Sequence, residues 1–334
     1  MDSLTQIALG ATVAHTVMGR HAGRRALAWG AALGTLPDLD VLVPLADPVA
    51  AFTYHRSASH SLIVLTLLAP LLAALIRRCH KDLGHLRWRW FWLVWLVLIT
   101  HVLLDALTVY GTQLFWPLTD YPVSGSVVFI IDPFYTVPLL AGLVGALWVR
   151  DSALALRWSA AGLVLSSSYM LWGMGAKAWV DHRVHTYLAS HEVAHTQVLS
   201  TPTPFNTLLW RIVVMTDDGY LEGFYSLLDG HGAPTFTAHR SDTALLDDLG
   251  EHWPVARLAR FTHGFYSIER TADGRVVMTD LRMGLRGYYS FAFQVAELQP
   301  DGTVTPVPSA WARAEIRSRE LGWVWQRLTS AGID

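Results

Sequence analysis

Six side chains in the apolar first half of this 334-residue chain have the types and spacing of a metal-ligand set. They are Asp38 and Asp40 in GTLPDLD, His55 and His60 in YHRSASHS, and His101 and Asp105 in THVLLDALT. Carboxylates and imidazoles are costly in apolar surroundings unless they pair or hold an ion. His101 and Asp105 are four apart in a helical run, so both project from one face. His55 and His60 are five apart across a loop-to-helix junction, and Asp38 and Asp40 alternate around Leu39. Three His and three Asp suit zinc, manganese or iron, as one or two ions, better than copper or calcium. Two ions sharing a carboxylate would lower the pKa of a bridging water, the arrangement of two-metal hydrolysis. Asp38 and Asp40 can send one carboxylate to each of two ions or let one bridge, and Arg56, next to a ligand, is placed to neutralise a phosphoryl oxygen; Arg56 and Asp40 are the candidate catalytic groups. Asp2, Gln6, Ser61, Thr108 and Thr112 are candidates for hydrogen bonding behind the ligands.

The elements that must position these residues read as helices. The first covers roughly residues 3–19 and the second roughly 24–36, where Pro37 stops it. As an antiparallel hairpin they bring Asp2, Thr5 and Gln6 beside Asp38 and Asp40, with His15 far down the hairpin as a packing or interhelical hydrogen-bonding residue. Residues 41–60 read as a loop, and His60-Ser61 opens a helix over 61–76. His101 and Asp105 lie in the half of the next helix that returns to the same end. All three polar clusters therefore converge at one end of the helices. Singly, each His or Asp is equally well explained by a hydrogen bond to another helix; six groups from three separated segments at one end weaken that reading.

Residues 61–76, 91–109, 127–149 and 153–175 are apolar runs close to bilayer-spanning length. With 52% hydrophobic residues and 15 Trp, many flanking those runs, the chain reads as a multi-pass integral membrane protein. The expected fold is an α-helical polytopic membrane bundle of about five to six helices over residues 1–176. A β-rich α+β soluble domain follows over 177–334. Residues 1–20 lack a basic leader and a small-residue cleavage site, so they read as a retained helix. The basic stretches Arg20–Arg25, Arg77–Arg89 and the Arg150/Arg157 pair, if kept inside, put the tail on the extracytoplasmic face. In the tail, Asp217-Asp218-Gly219 and Asp273-Gly274 stand between β-rich runs, the signature of antiparallel hairpins. Cys79 is the only cysteine, which leaves His and Asp as ligands. A net charge of −2 with no basic stripe gives no support for direct nucleic-acid binding.

The segments MDSLTQIALGA, WGAALGTLPDLDVL, HRSASHSL, HVLLDALTVYGTQLFWPL and IIDPFYTVPLL resemble the bacterial inner-membrane-associated, LexA-binding metal-dependent hydrolase family. TPFNTLLWRIV, DGYLEGFYSLLD and TDLRMG extend the resemblance across most of the chain. It implies metal-dependent hydrolysis carried by Asp38, Asp40, His55, His60, His101 and Asp105. Many members carry His where this chain has Gln6, so Gln6 is either a weak ligand or a group behind the ligands. The H-x-x-x-D pair is also similar to ligand pairs of zinc-dependent phospholipase C enzymes. By that analogy the substrate is a phosphoester, and membrane residence favours a lipid or other small molecule carrying one.

Two other readings compete. HEVAH at His191-Glu192-x-x-His195 fits the H-E-x-x-H helix of zinc peptidases, provided that the stretch 181–199 is helical. A non-enzymatic adaptor, docking a protein partner through the tail, would need the polar bundle only as structure.

Overall fold

A computed structural model describes every residue except 231, 233, 286–287, 313–318 and 330–334. The chain divides into two compact units, residues 1–43 with 56–173 and residues 44–55 with 174–334.

The first unit is helical: α1 (Ser3–Ala22), α2 (Arg24–Thr35), α4 (Leu62–Cys79), α5 (Arg87–Ala106), α6 (Pro133–Trp148) and the first part of α7 (Ser152–Ser190), with α3 (Pro48–Tyr54) belonging to the other unit. Asp2 caps α1 by accepting from the Thr5 amide. Ser61 caps α4 through the Ile63 and Val64 amides, and Asp132 caps α6 through those of Phe134 and Tyr135. Each satisfies donors that a helix start leaves open. Burial pushes the Asp132 carboxyl up, against the hydrogen bonds of Tyr169, Phe134 and Tyr135. Helix α5 is the core of the unit. Trp90, Leu93, Val94, Val97, Leu98 and Val102 are buried in it, packed with Ala8, Val13, Met18, Leu65 and Ala69.

Helices α1 and α2 meet backbone to backbone. A Cβ on Gly10 would lie 2.3 Å from the Gly30 carbonyl oxygen, and one on Gly34 2.5 Å from that of Gln6. Only glycine permits this approach, which holds Gln6 and the Gly34 carbonyl together. Gly34→Ala is expected to lower stability by about 1–3 kcal/mol by forcing the helices apart. Gly175→Ala, where an added Cβ meets nothing within 4 Å, should be neutral or stabilising. Thermal unfolding of the two variants checks this. His15, as its position down the hairpin suggested, reaches across helices to Ser159, Nδ1 to Oγ 2.8 Å.

The expected bundle of five to six membrane-spanning helices is not what forms. Among the described residues two helices, α4 and α5, are long and apolar enough to cross a bilayer. Helix α2 has 12 residues and α6 has 16, the latter because Asp132-Pro133 delays its start within the apolar run 127–149. The run 153–175 joins a 39-residue helix diluted by Arg157 and by Ser166, Ser167 and Ser168. Gly142 and Gly162 bring α6 and α7 into close backbone approach, while Val137, Val144, Val164, Leu165 and Leu171 on the two helices are exposed.

The second unit is sheet-rich. Strands β1 (Gln197–Pro202), β2 (Leu209–Thr216), β3 (Gly219–Ser226) and β4 (Thr235–Arg240) form an antiparallel meander. The later part of α7 packs on it through Val180, Val184 and Leu188 against Trp210 and Ile212. A second antiparallel sheet runs in the order β10 (Val304–Trp311), β9 (Ala292–Leu298), β6 (Arg275–Asp280), β5 (Tyr266–Arg270). The short pair β7 (Gly284–Leu285) and β8 (Tyr288–Tyr289) and helices α8 (Leu245–Leu249), α9 (Trp253–Phe261) and α10 (Arg319–Thr329) complete the unit. Both Asp-containing turns expected from the sequence are present: Asp217-Asp218 joins β2 to β3, and Gly274, with φ +83°, turns β5 into β6. Helix α3 falls within the stretch expected to be loop; its Phe52 packs edge-on to Phe261 and tilted against Phe291 and Phe293.

Candidate metal centre

His101 and Asp105 share one face in the last two turns of α5 and are buried. His60 ends a 3-10 turn (Ala58–His60) just before α4, and Asp38 lies on another (Pro37–Leu42) just after α2. These four side chains converge. His60 Nε2 is 3.4 Å from Asp38 Oδ1 and 3.2 Å from Asp105 Oδ2. His101 Nε2 is 3.5 Å from Asp38 Oδ1 and 3.4 Å from Asp105 Oδ2. The two Nε2 atoms are 3.4 Å apart. A tetrahedral zinc ion with N/O donors at 2.0–2.1 Å has ligand–ligand separations of about 3.3–3.4 Å. The five separations above fall around that value.

The hydrogen bonds behind the ligands fix what those nitrogens present. His101 Nδ1 is 2.8 Å from the Gly34 carbonyl oxygen, which only accepts, so Nδ1 carries the proton and Nε2 a lone pair. Ser59 Oγ donates to Asp40 Oδ2 at 2.8 Å and lies 2.9 Å from His60 Nδ1. With the hydroxyl proton committed to Asp40, His60 Nδ1–H must donate to Ser59, and its Nε2 also offers a lone pair. Two lone pairs and two carboxylate oxygens thus face one point. Asp105 Oδ2, fully buried, has no hydrogen-bond partner. Four converging acceptors without a donor fit a cation.

Asp105 uses its two oxygens differently. Oδ2 faces the imidazoles, while Oδ1 meets the Met1 amino group, Arg56 Nη2 at 3.3 Å and Gln6 Nε2 at 3.2 Å. Gln6 also donates to the His101 carbonyl at 3.3 Å, so it stands behind the ligands. Arg56 is buried in the left-handed region, φ +62°, with Nη1 3.3 Å from Thr108 Oγ1 and its guanidinium over the Tyr110 ring.

Of the six candidates, Asp38, His60, His101 and Asp105 come together. Asp40 stands one residue behind His60, accepting from Ser59 and from the Arg56 amide at 3.0 Å. His55 ends α3 and contributes no atom to the group. Thr108 donates to the Asp105 carbonyl, and Ser61 donates to that of Trp116. Asp2 serves as the α1 cap, and Thr112 pairs through its backbone with Val123. Ser59 and the Gly34 carbonyl were not anticipated. Ser59 was in view within YHRSASHS, whereas a carbonyl leaves no mark in a sequence. Ser59→Ala is expected to weaken zinc binding by about 10–100-fold by freeing the His60 tautomer. A chelator-competition titration against Ser61→Ala, which removes a helix cap and a hydrogen bond to the Trp116 carbonyl but no bond to His60 or Asp40, checks it.

The H-E-x-x-H stretch lacks its helix. Helix α7 ends at Ser190, and Glu192 has φ +51°. His191 and His195 are therefore not successive turns of one helical face, and each turns Nδ1 toward a nearby backbone carbonyl.

A family model described as YdjM inner membrane protein matches residues 1–180, the whole of the stretch that supplies the four converging side chains. The chain is 22% identical over 286 residues to YfhP, an uncharacterised protein of Bacillus subtilis (strain 168), covering 84% of this chain and 83% of that protein. No solved structure matches.

Proposed function

The chain belongs to the YdjM inner membrane protein family, and from that premise we propose that it is a membrane-bound, metal-dependent hydrolase of a phosphoester. The observation that carries this reading is the convergence of four acceptors, Asp38, His60, His101 and Asp105, with no donor among them. Zinc fits first, by donor type and separation, with manganese or iron as alternatives of the same coordination class. When bound, the ion supplies Lewis acidity to a phosphoryl oxygen and to the attacking water. The water oxygen bonds to phosphorus as the bond to the leaving alcohol breaks, and that alcohol takes up the proton that the water gives up.

The residues divide this work. His60 and His101 hold their lone pairs forward because Ser59-Asp40 and the Gly34 carbonyl hold the opposite protons. Arg56 and Gln6 occupy one oxygen of Asp105 and leave the other to the ion. Arg56 is thus a positioning residue acting through Asp105. Asp38 is 21% exposed while the other three side chains are at most 1% exposed, so substrate approaches on its side.

Four protein donors also favour a second reading, a closed structural ion in a membrane adaptor. Full-length protein in detergent, stripped with chelator and reloaded with zinc, manganese or iron, separates the two. Hydrolysis of bis(p-nitrophenyl) phosphate that follows metal loading supports the enzyme; stoichiometric metal with no turnover supports the adaptor. For localisation, we place α4 and α5 as a hairpin across the inner membrane. The basic end of the hairpin, with Arg77 and Arg78 closing α4, Lys81 in the loop, and Arg87 and Arg89 opening α5, faces the cytoplasm. The four donors, at the opposite end of the hairpin, then face the extracytoplasmic side.

A further inference from the structure

The four donors lie at one end of the α4–α5 hairpin: His60 is two residues before the start of α4, and Asp105 is the penultimate residue of α5. Two neutral apolar segments flank that end. Leu39, Val41, Leu42 and Val43 follow Asp38 and are 49%, 67%, 73% and 62% exposed; Phe115 and Leu118 are 47% and 81% exposed. The first segment is tied to His60 through Asp40 and Ser59. The second is tied to the first residues of α4, where Leu62 donates its amide to Leu114 at 2.9 Å and Ser61 its hydroxyl to Trp116. Neither 41–46 (VLVPLA) nor 114–119 (LFWPLT) carries a charge, so neither loses an ionic group's hydration in lipid.

Exposed apolar side chains on this scale mark a surface that something covers. The occupant is indicated by continuity. Helix α4 presents Leu67, Leu71 and Leu75, four residues apart and 73%, 57% and 46% exposed, along one face of a candidate span. The two segments lie at the N-terminal end of that same helix, the level at which a spanning helix leaves the hydrocarbon.

We propose that Val41–Val43 and Phe115–Leu118 form a lipid-immersed rim, and that the site they flank takes a lipid-anchored phosphoester whose headgroup reaches Asp38 without leaving the membrane. This rests on the hydrolase reading for its chemistry and on the rim alone for its placement. A headgroup at the bilayer surface is at the depth of the four donors, and its acyl chains lie among the rim side chains.

The test uses full-length, zinc-loaded protein in phosphatidylglycerol vesicles. Two substrates share a p-nitrophenyl leaving group: an acyl-chain-bearing phosphodiester in the vesicle, and bis(p-nitrophenyl) phosphate in water. The Val41→Ser/Leu42→Ser double variant is expected to lose lipid-ester turnover by about tenfold or more while keeping that of the soluble ester. Separately, Leu42→Cys in a Cys79→Ser background carries a nitroxide. Its collisions with oxygen should exceed those with a water-soluble nickel relaxant. A label exposed to the nickel reagent, or equal loss on both esters, would overturn the proposal. Turnover of neither ester by the unsubstituted protein would instead overturn the hydrolase reading, and the label depth would still decide the rim.

Discussion

Replacing His101 by alanine is expected to lower zinc affinity by two to three orders of magnitude while α5 stays helical. Zinc sites of four protein donors bind with roughly 10–16 kcal/mol in all, so losing one donor of four removes about 3–4 kcal/mol. Burial of His60 and Asp105 allows little compensation, since no other His, Asp, Glu or Cys among the described residues joins the cluster. His60→Ala should match it. Asp38→Ala should cost less, because Asp38 is the exposed member of the set and water can take its place. Isothermal titration with zinc and far-ultraviolet circular dichroism, run on the same samples, check both halves. If His101→Ala binds zinc like the unsubstituted protein, the ligand assignment is wrong.

The second large effect is on stability. Arg56→Ala is expected to destabilise the metal-free protein by about 3–5 kcal/mol, because it strips a partner from a buried carboxylate. Arg56 and Asp105 side chains are 6% and 0% exposed, so water cannot replace the guanidinium. Gln6 and the Met1 amino group remain on Asp105 Oδ1, which points to the lower end of that range. Arg56→Lys should recover little, since one ammonium cannot span Thr108 and Asp105 as the planar guanidinium does. Zinc should shrink the loss, because the ion neutralises the same carboxylates. Unfolding in detergent with and without zinc checks this: a loss of the same size in both states would mean that Arg56 does not act through the metal-binding carboxylate.

These expectations also show which links from sequence to structure were readable. The i, i+4 spacing of His101 and Asp105 fixes their common face whatever surrounds the helix, and the end of α2 follows from Pro37. The turns at Asp217-Asp218 and Gly274 were equally local. Span number was not local. Apolar content over a window does not show where a helix begins or how polar residues dilute it: α6 starts only at Pro133, and α7 carries Arg157 and Ser166, Ser167 and Ser168. Asp40 and His55 illustrate a second limit. Spacing shows which side chains lie near a site, but whether one ligates or holds a ligand from behind depends on side-chain geometry. For Asp40 that geometry puts Ser59 and His60 in between. Helix α3 was hidden because its apolar face, led by Phe52, is completed by residues more than 200 positions away.

The central claim is that Asp38, His60, His101 and Asp105 bind one ion. X-ray absorption at the zinc edge, on full-length zinc-loaded protein, tests it most directly. The account predicts one zinc per chain with about four N/O neighbours at roughly 2.0–2.1 Å, an imidazole signature and no sulfur, and loss of that spectrum in His101→Ala. Substoichiometric zinc, or a spectrum unchanged in His101→Ala, would contradict it.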